Sequence, residues 1–519
     1  MPLGANTEGQ EGTAERGKPS WRAQSARDER QRSEHPIVPT KQGNPSHGEP
    51  AEGRGCREED AGRGAGIAEP LEGKMAGTSD PMTVSTKLQR IAELARRSPD
   101  MVINTLAHHV DVEFLREAHR RTRKSGAPGV DGQTADEYAK NLEGNLRSLL
   151  ERFKSGAYRA PPVRRVHIPK GDGDETRPIG IPTFEDKVLQ RAVTMVLEAV
   201  YEQDFLDCSY GFRPRRSVHQ AIEALWKKGT DMNGGWVLEV DIKGFFDALG
   251  HSHLREILDQ RVRDGVLRRT INKWLKAGVQ EDGSLKFPES GSPQGGVVSP
   301  LLANVYLHTV VDTWFEHEIK PRLEGDAFMI RYADDVVIVF ASVRDARQVK
   351  GVLPKRFGKY GLELHPKKTR LVPFRRPKDP PEGKGSDEWG ARPQNFDFLG
   401  FRHYWGQSRR GRWTIKRKTD PSRLRRALRR IQAWCRRNRH KPIKEQQLAL
   451  SKKLRGHYGF YGITGNSKAL GCFLKCVERT WKRWLDRRSQ RARMRWAKFW
   501  KLLARYPLPE PRVVHSALR

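Results

Sequence analysis

The chain of 519 residues carries a net charge of +34 at pH 7 and has an isoelectric point near 10.2. Its mean hydropathy is −0.76, and it offers no run of about 18 apolar residues, so we do not expect a membrane-spanning helix. The N-terminus lacks the apolar segment of a secretory signal, and five cysteines in so long a chain favour a reducing, cytoplasmic location over a disulfide scaffold.

The positive charge is concentrated at one end of the sequence. Residues 402–519 hold 35 lysines and arginines against 5 acidic residues, a net charge of +30, whereas the preceding 401 residues carry only +4. A nearly neutral body with a strongly basic tail predicts a polyanionic partner, most simply nucleic acid. A disordered basic tail is the alternative, but this tail is also rich in Trp, Leu and Phe at helical spacing.

The first part of the chain changes character near residue 83. Residues 1–82 are rich in Gly, Glu, Ser, Arg and Pro, which predicts disorder, although translation could instead begin at Met75 or Met82. Apolar residues at spacings of three and four then predict one helix from Thr83 and another over 112–122. We treat 83–149 as an N-terminal extension and the start of the next domain.

Residues 150–401 mix patterns of strands and helices. The segments 236–242 (WVLEVDI) and 328–340 (FMIRYADDVVIVF) are rich in β-branched and aromatic residues and predict strands. The segments 254–262 and 346–357 predict helices. The second helix could be shorter than its segment, because Pro354 lies inside it and proline disrupts a helix interior. The Pro/Gly-rich residues 375–393 predict a linker or an insertion.

The tail is predicted to be helical from about residue 420. Four segments place apolar residues on one stripe and arginine or lysine on the rest, as amphipathic helices do. Trp481, Trp484, Trp496 and Trp500 lie at spacings of three and four, which favours a place in the core. The arginines on the opposite face are then the better candidates for contacts with RNA.

Two adjacent carboxylates, Asp334 and Asp335, lie between two apolar strand segments, which places them at a hairpin tip. A lone pair of this kind is most often a solvated turn. A third carboxylate, Asp241, follows the apolar strand WVLEV and is also expected at a strand end. Phosphoryl transfer with two metal ions needs carboxylates that converge from separate segments, and Mg²⁺ prefers oxygen ligands, so these three residues predict a magnesium site.

The order of several motifs then narrows the class. The segments DIKGFFD, SPQGGVVSPLLANVYL, YADD and GLELHPKKTRLV resemble the palm of reverse transcriptases. RPIGIPTFEDKVLQRAV, SYGFRPRRSVHQA and the tail segment LRGHYGFYG are similar to bacterial group II intron-encoded reverse transcriptase/maturases, of the type without an HNH endonuclease domain. This resemblance covers residues 83–515.

The resemblance implies roles for individual residues. Asp241, Asp334 and Asp335 would bind two Mg²⁺ ions together with the backbone carbonyl of Ile242. Phe246 would exclude a ribonucleotide 2′-hydroxyl, with Phe245 as the competing candidate.

Further residues would contact the incoming dNTP or assist its reaction. Lys170 and Arg177 flank a Gly-rich turn, and the resemblance makes them the clamp on the triphosphate. Gln294 would contact the nucleotide and the template. Lys368 would protonate the pyrophosphate, with Lys367 as the alternative.

The resemblance implies an α+β right-hand polymerase, with antiparallel sheet in its fingers and palm, followed by an all-α thumb/maturase domain. We predict four segments: a disordered extension (1–82), an N-terminal extension (83–149), the reverse transcriptase domain (150–401) and the basic helical domain (402–519).

The implied enzyme is an RNA-directed DNA polymerase and intron maturase in the cytoplasm, associated with the nucleoid when bound to target DNA. Its partners would be group II intron RNA, an RNA template with a DNA primer, dNTPs and target DNA, with no membrane partner, and the resemblance allows a homodimer. The rivals are a splicing factor without polymerase activity and a reverse transcriptase of the retron or diversity-generating type.

Overall fold

The computed structural model describes residues 83–169, 176–281, 284–286, 291, 295–377, 394–408, 410–489 and 494–515. Four sequence predictions therefore concern residues outside the described ranges: the extension 1–82, most of the linker 375–393, Lys170 and Gln294.

The described residues form fifteen α-helices and eleven strands. The helices are α1 (Val84–Arg97), α2 (Val112–Arg121), α3 (Ala135–Ala139), α4 (Leu142–Ser155), α5 (Phe184–Asp204), α6 (Val218–Asp231), α7 (Phe245–Ala248), α8 (His251–Asp259), α9 (Gly265–Leu275), α10 (Ser299–Leu307), α11 (Val343–Lys359), α12 (Pro421–Asn438), α13 (Ile443–Tyr461), α14 (Ser467–Leu485) and α15 (Trp496–Arg505). The strands are β1 (Val163–Pro169), β2 (Thr176–Ile181), β3 (Gly234–Val240), β4 (Val279–Glu281), β5 (Ser284–Lys286), β6 (Ala327–Tyr332), β7 (Asp335–Phe340), β8 (Arg370–Arg375), β9 (Phe396–Phe398), β10 (Phe401–Gln407) and β11 (Trp413–Thr419).

The central sheet has the order β6-β7-β3-β8, and all its neighbouring strands are antiparallel. Its strands are apolar on both faces because both faces are covered. Leu238 and Ile338 belong to the large core that includes α5, whereas Val237 and Val339 belong to a second core shared with α6 and the sheet of β9 to β11. This sheet confirms the strands predicted from residues 236–242 and 328–340.

A second sheet, of order β2-β1-β4-β5, pairs β1 with β2 antiparallel and with β4 parallel. The helices α1 and α2 agree with the two predicted near the start of the described chain, and the Thr83 hydroxyl caps α1 by accepting from the Thr86 amide. The helix α11 runs through Pro354 to Lys359, so the proline does not shorten it.

The start of the segment 402–519, which the domain prediction describes as helical, contains most of β10 and all of β11. β10 pairs with β9 and β11 in a three-stranded sheet, and the Trp405 indole donates to the Phe374 carbonyl at 2.9 Å, which ties β10 to β8. The helical part of the tail begins at Pro421. The α+β class and the helical C-terminal region agree with the prediction.

The four tail helices share a core around Trp481, which is fully buried, and Trp484, of which 9% is exposed. The prediction that all four tryptophans lie in the core is wrong for two of them. Trp496 and Trp500 are 44% and 55% exposed, because α15 turns Phe499 inward instead.

Candidate active site

The two adjacent aspartates occupy the tip of the β6–β7 hairpin, as predicted. Tyr332 pairs with Asp335, so Ala333 and Asp334 form a two-residue turn between the strands. Ala333 has a φ of 56°, in the left-handed region that the tight hairpin turns require. The turn therefore projects Asp334 beyond the end of the central sheet.

The third aspartate comes from the neighbouring strand. Val240, the last residue of β3, pairs with Val336, so Asp241 emerges beside the start of β7. The Asp241 carbonyl accepts from the His365 amide at 2.8 Å, and Ile242 forms an isolated bridge with Leu364. The segment after α11, which includes Leu364 and His365, thus fixes the backbone of Asp241 and Ile242.

The carboxylates influence one another electrostatically. Burial and the negative charge of Asp241 raise the pKa of Asp334, against the opposing effect of the Arg177 charge. The pKa of Asp335 rises to about 6, first because protein atoms surround its carboxyl group and then because Asp334 and Asp241 repel its charge, even though the residue reaches solvent at the hairpin tip. This concentration of negative charge favours a cationic ligand.

Two of the predicted cations lie at this site. The Lys368 ammonium is 3.2 Å from a carboxylate oxygen of Asp241, so of the two lysines considered, Lys368 is the one placed at the aspartates. Arg177, on β2, acts on the charge of Asp334. A third cation, Arg423, acts on Asp335 from the first turn of α12, a contribution that the sequence analysis did not foresee.

The donor set has the chemistry of a magnesium site. Among the described residues, no three acidic, histidine or cysteine side chains are arranged to hold a metal ion by themselves. Magnesium commonly takes one or two carboxylates and completes its octahedron with water and substrate phosphates. Carboxylates that repel one another at a solvent-accessible strand end fit that pattern.

The two phenylalanines after Asp241 have different surroundings. Phe245 is 3% exposed and packs edge-on against Tyr306, with ring centroids 6.4 Å apart. Phe246 is only partly buried at the margin of the same core. The geometry therefore gives Phe245 a packing role and leaves Phe246 the ring that a substrate could reach.

Gly295, which follows Gln294 in the sequence, lies against β2. A Cβ on Gly295 would lie 2.4 Å from the Gly180 carbonyl oxygen, and Gly295 has a φ of 118°. Both constraints require glycine here. The Gln190 side chain accepts from the Val297 amide at 2.7 Å, which ties this loop to α5.

The sequence analysis missed the buried arginine that supports the hairpin. Arg331, next to the hairpin turn, is fully buried, and its guanidinium donates to both carboxylate oxygens of Asp312. It also donates to Asn304 at 3.0 Å and to the carbonyl of Ala333 at 3.1 Å. Asp312 lies on a π-helical turn that continues α10, a local geometry that often occurs at functional sites.

The SYGF segment lies directly against this hairpin. A Cβ on Gly211 would come within 2.2 Å of the Ala333 backbone nitrogen, and the Asn304 amide donates to the Gly211 carbonyl at 2.7 Å. Ser209 accepts from Arg331 at 2.7 Å. The glycine in the SYGF segment could have indicated this contact from the sequence, because a close approach of two backbones excludes every other residue.

An antiparallel sheet that brings three interacting aspartates to one end, followed in the chain by a basic helical region, is the palm arrangement of a right-hand nucleic acid polymerase. The family model for reverse transcriptase (RNA-dependent DNA polymerase) matches residues 168–403.

Several curated proteins are similar to this chain in sequence. Protein YkfC of Escherichia coli is 35% identical over 327 residues, which is 56% of this chain and 85% of that protein. The group II intron-encoded protein LtrA of Lactococcus lactis is 37% identical over 225 residues, 43% of this chain. Nuclear intron maturase 2 of Arabidopsis thaliana is 26% identical over 177 residues, 26% of this chain and 24% of the relative. The chain spans only 37% of the length of LtrA.

The chain belongs to the family of group II intron-encoded reverse transcriptases and maturases. Its partners accordingly include nucleic acid, and reverse transcriptases as a family use divalent metal ions. Within the described residues, no helix is long and apolar enough to cross a membrane. The described cysteines, Cys208, Cys435, Cys472 and Cys476, are free thiols.

Proposed function

We propose that this chain is an RNA-directed DNA polymerase that also acts as a maturase: it binds group II intron RNA, assists its splicing and copies it into cDNA. The observation that carries the proposal is the proximity of Asp241, directly after β3, to Asp334 and Asp335 of the β6–β7 hairpin, beside the cations Lys368 and Arg177. We further propose that the chain works in the cytoplasm and at the nucleoid when bound to target DNA.

The carboxylates of Asp241, Asp334 and Asp335 and the carbonyl of Ile242 would hold two Mg²⁺ ions. When bound, these ions supply charge neutralisation and activation of the primer 3′-hydroxyl. Lys368, whose ammonium lies 3.2 Å from a carboxylate oxygen of Asp241, would deliver a proton to the departing pyrophosphate. Arg177, with Lys170, would neutralise the triphosphate of the dNTP, since guanidinium and ammonium groups both bind phosphate.

Selection of the substrate would fall to two further residues. The accessible ring of Phe246 would lie under the sugar and exclude a 2′-hydroxyl, while Phe245 stays in the core. Gln294 would contact the incoming nucleotide and the template. We retain the segments 83–149, 150–401 and 402–519 as the extension, the polymerase body and the basic domain, with the change to helices at Pro421.

The direct test is primer extension by the full chain on an RNA template with a DNA primer, dNTPs and Mg²⁺. Asp334→Ala should lower the rate by roughly a hundredfold or more, because a metal ligand contributes several kcal/mol to the transition state. RNA affinity should change little. The matched control is Asp326→Asn, which removes an exposed aspartate next to the opposite end of β6.

Equal extension rates for Asp334→Ala and the unmodified chain would refute the assignment of the site. A chain that binds intron RNA and promotes splicing but never extends a primer would instead be the splicing factor without polymerase activity. Splicing assays on the intron that surrounds the reading frame distinguish these two outcomes.

A further inference from the structure

Phe212, in the SYGF segment, combines two features that are unfavourable for a phenylalanine. Its side chain is 49% exposed, and it is the only exposed phenylalanine in the part of the chain that the structure describes. Its backbone has a φ of 57°, in the left-handed region that bulky residues avoid. Both features cost stability, and strained residues concentrate at active sites and ligand contacts. Packing of the fold alone therefore does not explain an aromatic ring at this position.

The segment before Phe212 leads directly to the catalytic hairpin. Ser209 forms a parallel bridge with Arg331 along the free edge of β6, and Gly211 then packs against the backbone of the hairpin turn. The sheet order β6-β7-β3-β8 places Asp241, which follows β3, on the other side of the hairpin. Phe212 therefore lies next to the hairpin turn on its β6 side, whereas Asp241 lies on its β7 side.

The residue after Phe212 anchors the loop in the protein. Arg213 is 8% exposed and donates to two backbone carbonyls at 2.8 and 3.0 Å, and its guanidinium pairs with Glu202 at 3.1 Å. The Phe212 ring lies beside that of Tyr332, the last residue of β6, with centroids 6.4 Å apart. A buried, well-bonded anchor next to an exposed ring holds the ring at a fixed place beside the carboxylates.

We propose that Phe212 packs against the minor-groove edge of the terminal base pair of the template–primer duplex and so positions the primer end at Asp334. This proposal rests on the proposed function, which brings the primer 3′-hydroxyl to the three aspartates. Lys368, the proposed proton donor to pyrophosphate, lies with Asp241 on the other side of the hairpin, so Phe212 is directed to the duplex and not to the leaving group. A-form duplexes have a wide, shallow minor groove, which an apolar ring can enter whatever the base sequence.

The substitution Phe212→Gly in the full chain separates this contact from stability. Glycine adopts the left-handed region without steric cost, so the urea midpoint of unfolding should stay equal or rise. The affinity for an RNA template annealed to a DNA primer should fall about three- to tenfold, because about half of a phenylalanine side chain is no longer buried against the duplex. The KM for dNTP should change little. Phe212→Tyr keeps the ring and should retain the affinity of the unmodified chain.

The matched control is Asn233→Gly. Asn233 also has a φ of 57°, and it precedes β3, at the end of that strand remote from Asp241. This variant should bind the annealed duplex as the unmodified chain does.

A second measurement uses a primer whose last nucleotide is mismatched. A mismatch changes the minor-groove edge that the ring would contact, so Phe212→Gly should lower the preference for extending the matched primer by about threefold. Asn233→Gly should leave this preference unchanged.

Several results would overturn the proposal. Unchanged duplex affinity in Phe212→Gly would show that the ring does not touch the duplex, and a loss confined to the KM for dNTP would place it in the nucleotide pocket. An equal loss of affinity in Phe212→Tyr or Asn233→Gly would exclude a specific role of the ring, and a lower urea midpoint in Phe212→Gly would make it a structural residue. If the unmodified chain extends no primer, the polymerase function fails, while the contact is still judged on affinity for the annealed duplex.

Discussion

Substitutions of the buried ion pair Arg331–Asp312 can separate its contribution to the stability of the fold from its contribution to catalysis. Both side chains are fully buried, and the shorter of their two hydrogen bonds is 2.5 Å long. Replacing Arg331 by Met leaves the Asp312 carboxylate buried without its counter-charge, which costs about 3–5 kcal/mol of unfolding free energy. The same change also removes the donor to the Ala333 carbonyl, on which the hairpin turn rests.

A second substitution separates the two effects. Arg331→Met combined with Asp312→Leu replaces the ion pair by apolar side chains, an exchange that is often neutral or stabilising in buried sites. We therefore expect the double variant to regain most of the lost stability. The Ala333 carbonyl still lacks its donor, so the turn that carries Asp334 is still less firmly held. A displacement of about 1 Å at reacting groups can cost about a hundredfold in rate.

Urea unfolding and steady-state primer extension measure the two quantities on the same samples. The expected result is recovered stability with a kcat that remains about tenfold or more below normal and a KM for dNTP that changes little. KM for dNTP is expected to stay nearly unchanged because Arg331 is buried and does not reach the nucleotide. If kcat returns together with stability, Arg331 acts only as part of the core and does not position the hairpin.

Three further predictions concern other parts of the chain. Phe246→Ala should raise incorporation of ribonucleotides relative to dNTPs, while Phe245→Ala should mainly destabilise the fold by about 3–5 kcal/mol; selectivity that shifts only in the second variant reverses the assignment. Gly211→Ala should lower extension strongly, since its Cβ would meet the Ala333 backbone; normal activity would contradict that contact. Burial and Arg417 lower the pKa of His403 to about 3, so stability is complete above the unfolded pKa of about 6.5 and falls on acidification, by about 1.4 kcal/mol at pH 5.5. The unfolding free energy of His403→Phe should lose this share of its pH dependence. A pH profile of stability equal to that of the unmodified chain would contradict the lowered pKa of His403.

Local sequence patterns were sufficient to predict the strands next to the three aspartates. The β-branched runs around Asp334 and after Trp236 are signals within a few residues, and they predict the β6–β7 hairpin and the strand β3 as separate elements. The roles of the individual aspartates came from the order of motifs and not from spacing, because no local signal brings β3 beside β7.

Other features depend on contacts between distant segments. Asp312 and Arg331 are 19 residues apart, and only the π-helical turn and the antiparallel sheet bring them together. The strands β10 and β11 do show alternating burial, with His403 and Arg417 inside. The helical pattern was predicted only from about residue 420, and the domain prediction included these strands in the tail because the basic charge begins at residue 402.

The helix α12 brings one cation of the basic tail to the catalytic carboxylates. Three aspartates at one end of the palm would repel the phosphates of primer, template and dNTP. Cations from three separate elements oppose this repulsion: Arg177 on β2, Lys368 after α11 and Arg423 on α12. Because Arg423 belongs to the basic tail, part of the positive charge of the tail acts at the catalytic carboxylates.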